Sequence, residues 1–380
     1  MTLPAETTAP AAPGASAAFE DALAGIADRA AEHDRDASFP FEAFEALHRA
    51  GTLNLTVPAE LGGGGADLPE AIRVVRAVGA ADPSVALVLA MHLINHAALR
   101  HPDNAWPPGV RAEVQRSSLE GVALINGLRV EPDLGTPARG GLPGTVAERT
   151  GDGWTLRGHK IYSTGIPGLR WLLVWARTAG DEPSAGSFLV PAGTPGYRVE
   201  PTWDHLGMRA TRSDDVILEG VTVPAGHAVE LAPATGRPSR PAPWVAFWNA
   251  LLITAIYDGV ARAARDWLVG YLNERAPSNL GRPLATLPRF QTAVGRVEGL
   301  LLANDALLTA PDTARAGLIK HTVTGNAMQA VELALSLTGN PGLSRRNPLE
   351  RHYRNVLCSR IHTPQDDTIL LDAGSTALTP

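Results

Sequence analysis

Apolar residues recur along this chain at two different periods, and the period changes twice. Over residues 19–120 the spacing is helical: Phe41, Phe44 and Leu47 step by three, with Pro40 at a first-turn position and Gly51 as a stop. Gly62 to Gly65 reads as a loop, and a helix with few charges follows Asp82, starting at Pro83 and running to Leu99. From 121 to 235 the period drops toward two and Gly/Pro punctuation rises. Residues 145–150, 154–157, 171–177 and 216–219 predict strands, with Gly151-Asp152-Gly153 as a turn. After the Pro-rich stretch 233–243 the helical period returns: Ile253, Ile256, Val260, Ala264, Trp267, Leu268 and Tyr271, then Val323, Ala327, Val331 and Leu335. The pattern predicts an α+β multi-domain chain: a disordered or loosely attached tail over 1–18, an N-terminal helical domain over 19–120, a middle antiparallel β domain over 121–235, and a C-terminal four-helix bundle over 236–380. Broad apolar faces on long helices also predict a subunit interface, hence a homotetramer or dimer.

Composition narrows the function classes. The 380 residues are 44% hydrophobic and 19% charged, with formal net charge −6. No run of Lys/Arg interleaved with aromatics is present, which argues against a nucleic-acid partner. The single cysteine, Cys358, leaves no intrachain disulfide and fits a reducing, cytoplasmic setting. Residues 1–18 are rich in Ala, Thr and Pro, without the basic and apolar regions of a secretion signal. The apolar runs 85–91 and 171–176 are shorter than the ~20 residues that span a bilayer, so no membrane partner is expected.

Six short motifs then occur in one order. They are Pro58-Ala-Glu-Leu-Gly-Gly63, Val130-Glu131-Pro132-Asp-Leu-Gly135-Thr136 and Trp154-Thr-Leu-Arg-Gly158-His-Lys160-Ile-Tyr-Ser-Thr-Gly165. Leu206-Gly-Met-Arg209 with Val221-Thr-Val-Pro224, Leu337-Thr-Gly339-Asn-Pro-Gly342, and Arg354-Asn355 complete the set. Together they resemble the acyl-CoA dehydrogenase superfamily along nearly the whole chain. The resemblance implies an acyl-CoA dehydrogenase-like fold and a flavin, FAD or FMN, held at a subunit interface. It places Tyr162, Ser163 and Thr164 along the flavin ring, Val130 and Thr136 in the flavin loop, Gly339 and Gly342 at a phosphate, and Arg275 at a neighbouring subunit's pyrophosphate. A flavin needs a flat, dry slot with hydrogen bonds to its ring nitrogens and oxygens, which suits these residue types. The competing reading of Tyr162-Ser163-Thr164 is a β-prone strand end.

Acyl-CoA dehydrogenases abstract a weakly acidic α-proton with a glutamate. The resemblance aligns that position with Thr363, and the alternative position of a second branch with Asn249; neither is acidic. Asp366 or Asp367 stands in only if the loop shifts. Histidine is present instead: Arg351-His352-Tyr353-Arg354-Asn355 and Ile361-His362-Thr363-Pro364 resemble the monooxygenase branch of the family, which includes dibenzothiophene monooxygenase and amino-sugar nitrososynthases. That branch takes reduced flavin from a separate reductase and reacts it with O2 through a C4a-hydroperoxyflavin. The resemblance therefore implies a two-component monooxygenase acting on a small organic substrate. His362, Ser163, His92 and His96 are its catalytic candidates, and Asn249 and Arg209 its substrate-binding candidates. An acyl-CoA dehydrogenase with a displaced base and a non-catalytic acyl-ligand-binding member are the alternatives. His92 and His96, spaced i, i+4, also fit two satisfied core imidazoles; a metal site is not expected, since no third ligand has usable spacing. His352 fits a structural or phosphate-anchoring role, Arg209 to Asp215 also fit a solvated turn, and Arg345 with Arg346 fit a solvated charge pair.

Overall fold

A computed structural model describes residues 16–134, 141–234 and 242–379. Thr136 and residues 1–15 of the expected tail lie outside the described residues. The first helix already begins at Ala17: α1 (Ala17–Asp36) is capped by Ser16, whose Oγ accepts from Phe19 N at 3.2 Å. With α2 (Phe41–Arg49), α3 (Leu68–Ala81), α4 (Pro83–Arg100) and α5 (Pro108–Glu120) it makes the N-terminal domain. Asp82 caps α4 through a 2.7 Å bond from Ser84 N, as the Asp-Pro start predicts. Nearly all of α4 is buried, which is why it carries so few charges.

The middle domain is one sheet. Its strands are β1 (Leu124–Leu128), β2 (Val146–Thr150), β3 (Gly153–Lys160), β4 (Leu169–Thr178), β5 (Ser184–Pro191), β6 (Tyr197–Glu200), β7 (Asp215–Pro224) and β8 (Ala232–Pro233). They run in the order β6-β7-β3-β2-β4-β5-β8. Five pairs are antiparallel as expected, but β1 and β2 both pair with β4 in parallel, along successive stretches of one edge. The sheet is therefore mixed. Its parallel pairs arise because β1 enters directly from α5 and leaves into the flavin-like loop, so it joins β4 without a hairpin.

The C-terminal bundle packs α6 (Pro243–Glu274), α7 (Pro288–Thr309), α8 (Ala316–Thr338) and α10 (Leu349–Leu357), with α9 (Asn340–Leu343) and α11 (Asp366–Leu378) at its ends. Among the described residues α6 alone is long and apolar enough to cross a bilayer, a point the shorter runs did not disclose. Its most apolar window is 72% buried inside the protein, as befits a central core helix. Two glycines let α3 cross α6 closely. A Cβ on Gly259 would stand 2.3 Å from Arg76 O, and one on Gly79 would stand 2.7 Å from Ile256 O. Beside this crossing the buried Asp258 carboxylate accepts from Arg262 Nε and Asn304 Nδ2, each at 2.8 Å, while Arg76 and Arg262 share Asp305. The network satisfies a charge that would otherwise be costly inside the bundle.

Candidate active site

Four groups of residues build the site. The first is the loop after β1. Val130 O accepts from Ile161 N at 3.0 Å, and the buried Glu131 carboxylate accepts from Gly144 N, Thr145 N, Thr145 Oγ1 and Lys160 Nζ. Lys160 is fully buried, which lowers its ammonium to about 8, opposed by Glu131. Burial pushes the Glu131 carboxyl up, but Lys160 and Thr145 outweigh it and hold it below its usual range. The bonds from Gly144 and Thr145 to Glu131 tie together the two flanks of the segment that carries Thr136, and the ion pair with Lys160 fastens them to β3.

The second group is the turn after β3. Tyr162 adopts φ 55°, a left-handed conformation that leaves its ring 52% exposed. Ser163 N donates to Asp214 O and Gly165 N to Thr211 O, while Thr164 O accepts from Asn126 Nδ2 and Thr164 Oγ1 from Ser213 Oγ. Ser163 Oγ is buried with no partner among the described residues, an acceptor and donor left for a bound group. A half-open aromatic ring beside an orphaned hydroxyl on a rigid turn fits a flavin. Nearby, Trp203 and His205 stack at 3.7 Å, with Tyr162 edge-on to both.

The third group is the loop 203–214 that holds this turn against the bundle. Arg354 donates to both Asp34 oxygens, to Glu350 and to Leu206 O, and Asn355 Oδ1 accepts from Met208 N at 2.8 Å. Arg209, expected at the substrate, has its guanidinium taken up by Asp34 O, His205 O and Asp204. The Arg-Asn pair of α10 and Arg209 thus fasten domains together. Arg212 likewise binds Asp214 and Ala37 O rather than solvent alone.

The fourth group is the segment after α10. Asn249 of α6 donates from Nδ2 to Thr363 O at 2.9 Å, so the two positions aligned with the missing base touch each other. One residue earlier, His362 Nδ1 lies 2.7 Å from the hydroxyl of Tyr257, which is fully buried on α6. Burial, reinforced by the positive charge of Lys320, lowers the His362 imidazole to about 4, so it is neutral near pH 7. Lys320 is itself buried on α8 and donates weakly, at 3.4 Å, to Ser359 O. Asp366 pairs with His321 at the start of α11, and Asp367 is exposed; neither carboxylate is bonded to Asn249 or Thr363.

His92 and His96 sit elsewhere on the scaffold. Both are fully buried, with rings 4.5 Å apart. His92 Nε2 bonds Leu53 O at 2.9 Å, whereas neither nitrogen of His96 has a partner among the described residues. Val88 lies one turn before His92 on the same helix face and is 3.0 Å from where a Gly165 Cβ would be. His92 is thus one turn behind the Ser163-bearing turn. Burial lowers His92 to about 4 and His96 well below the usual range. His352 is buried, and burial together with Arg351 takes it to about 3; its Nδ1 has no partner among the described residues. Arg275 is exposed at the end of α6, eighteen residues past Tyr257, or about 27 Å along the helix. Gly339, at φ 59°, ends α8, and Gly342 packs on Thr338. One chain therefore joins Ser163, Thr164, Asn249 and His362 through the 203–214 loop, but leaves Arg275 far from His362. Sequence reading missed Tyr257 and Lys320; each sits beside another polar residue, Asp258 and His321, so neither stands out.

Three family models match this chain: the acyl-CoA dehydrogenase N-terminal domain over residues 17–101, the middle domain over 130–221 and the C-terminal domain over 246–367. A putative acyl-CoA dehydrogenase, YdbM of Bacillus subtilis (strain 168), is 34% identical over 90% of this chain and 90% of its own. L-evernosamine nitrososynthase of a Micromonospora species is 31% identical over 93% of this chain and 87% of its own. The solved structure of KijD3 in complex with FMN and dTDP-3-amino-2,3,6-trideoxy-4-keto-3-methyl-D-glucose superposes with a TM-score of 0.76 at 28% identity, covering 96% of this chain and 95% of that one. Domain order, the mixed sheet between two helical domains and these likenesses agree: the chain belongs to the acyl-CoA dehydrogenase superfamily.

Proposed function

We propose that this protein is a flavin-dependent monooxygenase that takes reduced flavin from a separate reductase and oxygenates a small organic substrate, with amine nitrogen the first class to test. The observation that carries this reading is the bond between Asn249 and Thr363. Both positions where a dehydrogenase would place its carboxylate are neutral, and the titratable group beside them is the neutral imidazole of His362. Two relatives that resemble the chain over most of its length are a nitrososynthase and an amino-sugar-binding, FMN-bound protein, which supports nitrogen as the site of attack.

The residues that would hold the flavin are Val130, Tyr162, Ser163 and Thr164, with the loop carrying Thr136, and with Arg275, Gly339 and Gly342 contributing from the bundle of a neighbouring subunit. Bound reduced flavin supplies the electrons with which O2 is activated. The protein's part is to keep the slot dry, to offer the Ser163 hydroxyl as a hydrogen-bond partner, and to hold a proton at His362 Nε2 as a hydrogen-bond donor. Asn249 holds the Thr363 carbonyl and faces substrate. Exposed Leu370, Leu371 and Leu378 on α11 and Leu302 on α7 support assembly into a dimer or tetramer.

The test is turnover with a flavin reductase, NADH and ¹⁸O2 on a panel of amines including amino-sugar nucleotides. Label in the product supports the proposal, and His362→Ala should abolish labelled product while leaving flavin affinity within about twofold. The likeness to YdbM favours a second reading, oxidation of an acyl-CoA thioester. Stoichiometric acyl-CoA oxidation with an artificial electron acceptor, under argon as in air, would overturn the monooxygenase in its favour.

A further inference from the structure

The hydrogen bond between Tyr257 and His362 is a proton-placement device. Tyr257 is fully buried, its hydroxyl has one described partner, His362 Nδ1 at 2.7 Å, and a phenol carries a single proton. Two neutral arrangements are open to the pair. If Nδ1 bears the imidazole proton, it donates to the phenol oxygen, and the phenol's own proton is left buried without an acceptor. If Nδ1 is bare, the phenol donates to it, both atoms of the contact are satisfied, and the imidazole proton sits on Nε2, the nitrogen outside the contact. Burial decides for the second, since an orphaned buried donor is the costlier state. The imidazolium form repeats the first fault: both ring nitrogens carry protons, and the phenol proton again has nowhere to go.

We propose that Tyr257 is a positioning residue that fixes His362 as the neutral tautomer with its proton on Nε2, so that the histidine presents a hydrogen-bond donor, and never a base, at that nitrogen. His362 Nε2 has no protein partner among the described residues and does not count among the buried unsatisfied atoms, so it is the nitrogen left for a ligand. The charged and titratable groups around the pair are Lys320 from α8, Cys358 from the turn after α10 and, beyond Lys320, Asp366 from α11. Lys320 opposes a second positive charge on the ring, in the same sense as Tyr257. The value of this tautomer for catalysis rests on the proposed oxygenase reading; the proton placement itself does not.

Neutron diffraction from perdeuterated wild-type crystals near pH 7 tests the placement directly. Density for deuterium on Tyr257 Oη and His362 Nε2 is the expected result. Deuterium on Nδ1, with bare Nε2, would overturn the proposal whatever the protein's activity turns out to be. Tyr257→Phe adds a solution test whose sign is diagnostic. A lost donor to neutral Nδ1 moves the His362 titration upward, so the acid limb of the pH profile for substrate turnover should rise by about one unit, a tenfold loss on that limb. A lost acceptor would move it downward, and that direction, or no movement, refutes the assignment. If the wild type shows no oxygenation at all, the neutron result still stands or falls alone, which separates failure of the tautomer from failure of the proposed function.

Discussion

The close crossing of α3 and α6 predicts a sharp cost for adding one methyl group at Gly259. An alanine Cβ there would stand 2.3 Å from Arg76 O, 2.7 Å from Ala80 N and 2.9 Å from Gly79 C, all backbone atoms of α3. Ordinary carbon contacts lie at about 3.5–4.0 Å, so the helices must part by about 1 Å. Overpacking of this kind costs about 3 kcal/mol when rigid backbone must move, and the helix preference of Ala over Gly returns about 1 kcal/mol. The net is about 2 kcal/mol of lost stability. Because α6 also carries Asn249 and Tyr257, a 1 Å displacement should lower turnover by up to about 10²-fold. Thermal melting and urea unfolding of Gly259→Ala, followed by flavin binding, measure both effects. The control is Gly270→Ala on the same helix, where a Cβ meets nothing within 4 Å; it should be neutral or stabilise by up to about 1 kcal/mol. If Gly259→Ala melts with the wild type, or Gly270→Ala falls with it, close backbone approach is not what fixes this crossing.

Stability should also fall with acid. An unfolded imidazole titrates near 6.5, whereas burial holds His92 at about 4 and His352 at about 3, so the unfolded chain binds more protons between those values. Their contribution is full above about pH 6.5 and is lost as pH falls toward 4; for His92 alone it is of order 3 kcal/mol, and urea midpoints that stay flat from pH 7 to 5 would contradict it. Glu131→Gln should cost about 3–5 kcal/mol because it strands the buried Lys160 ammonium, while Glu131→Gln with Lys160→Met recovers part of that loss; additivity of the two single changes in a double-mutant cycle would argue against a coupled clasp. Finally, Asn249→Glu should introduce measurable acyl-CoA oxidation with an artificial acceptor where the parent has little. Equal activity in parent and variant would mean that a missing carboxylate is not what separates this chain from the dehydrogenases.

The three-part organisation was legible because the apolar period itself changes at the domain borders. The starts of α2 and α4 were legible because Pro40-Phe41 and Asp82-Pro83 are local signals. Strands β1, β5 and β6 were not, since β1 has Asn126 and Gly127 at its centre and β5 opens Ser-Ala-Gly-Ser, neither of which alternates. Parallel pairing of β1 with β4 depends on contacts between residues about forty-five apart, which no local pattern encodes. At the site, Asn249 and Thr363 were found through aligned motifs, and their contact confirms that they share one spot. Tyr257 and Lys320 were hidden because each stands beside another polar residue of its helix, Asp258 and His321, and the sequence does not say which of them lies next to His362. A guanidinium in a loop looks alike whether it meets a ligand or a carbonyl, and the bonds of Arg209 go to Asp34 O, His205 O and Asp204.

The contact between Asn249 and Thr363 has a bearing on how chemistry diverges within this architecture. A proton-abstracting group supplied from α6 and one supplied from the segment after α10 would converge on the same point, although the two residues are more than a hundred positions apart. A carboxylate at position 249 would lie against the backbone of the segment after α10, so the acid–base character of this contact can change without any change in the course of either element.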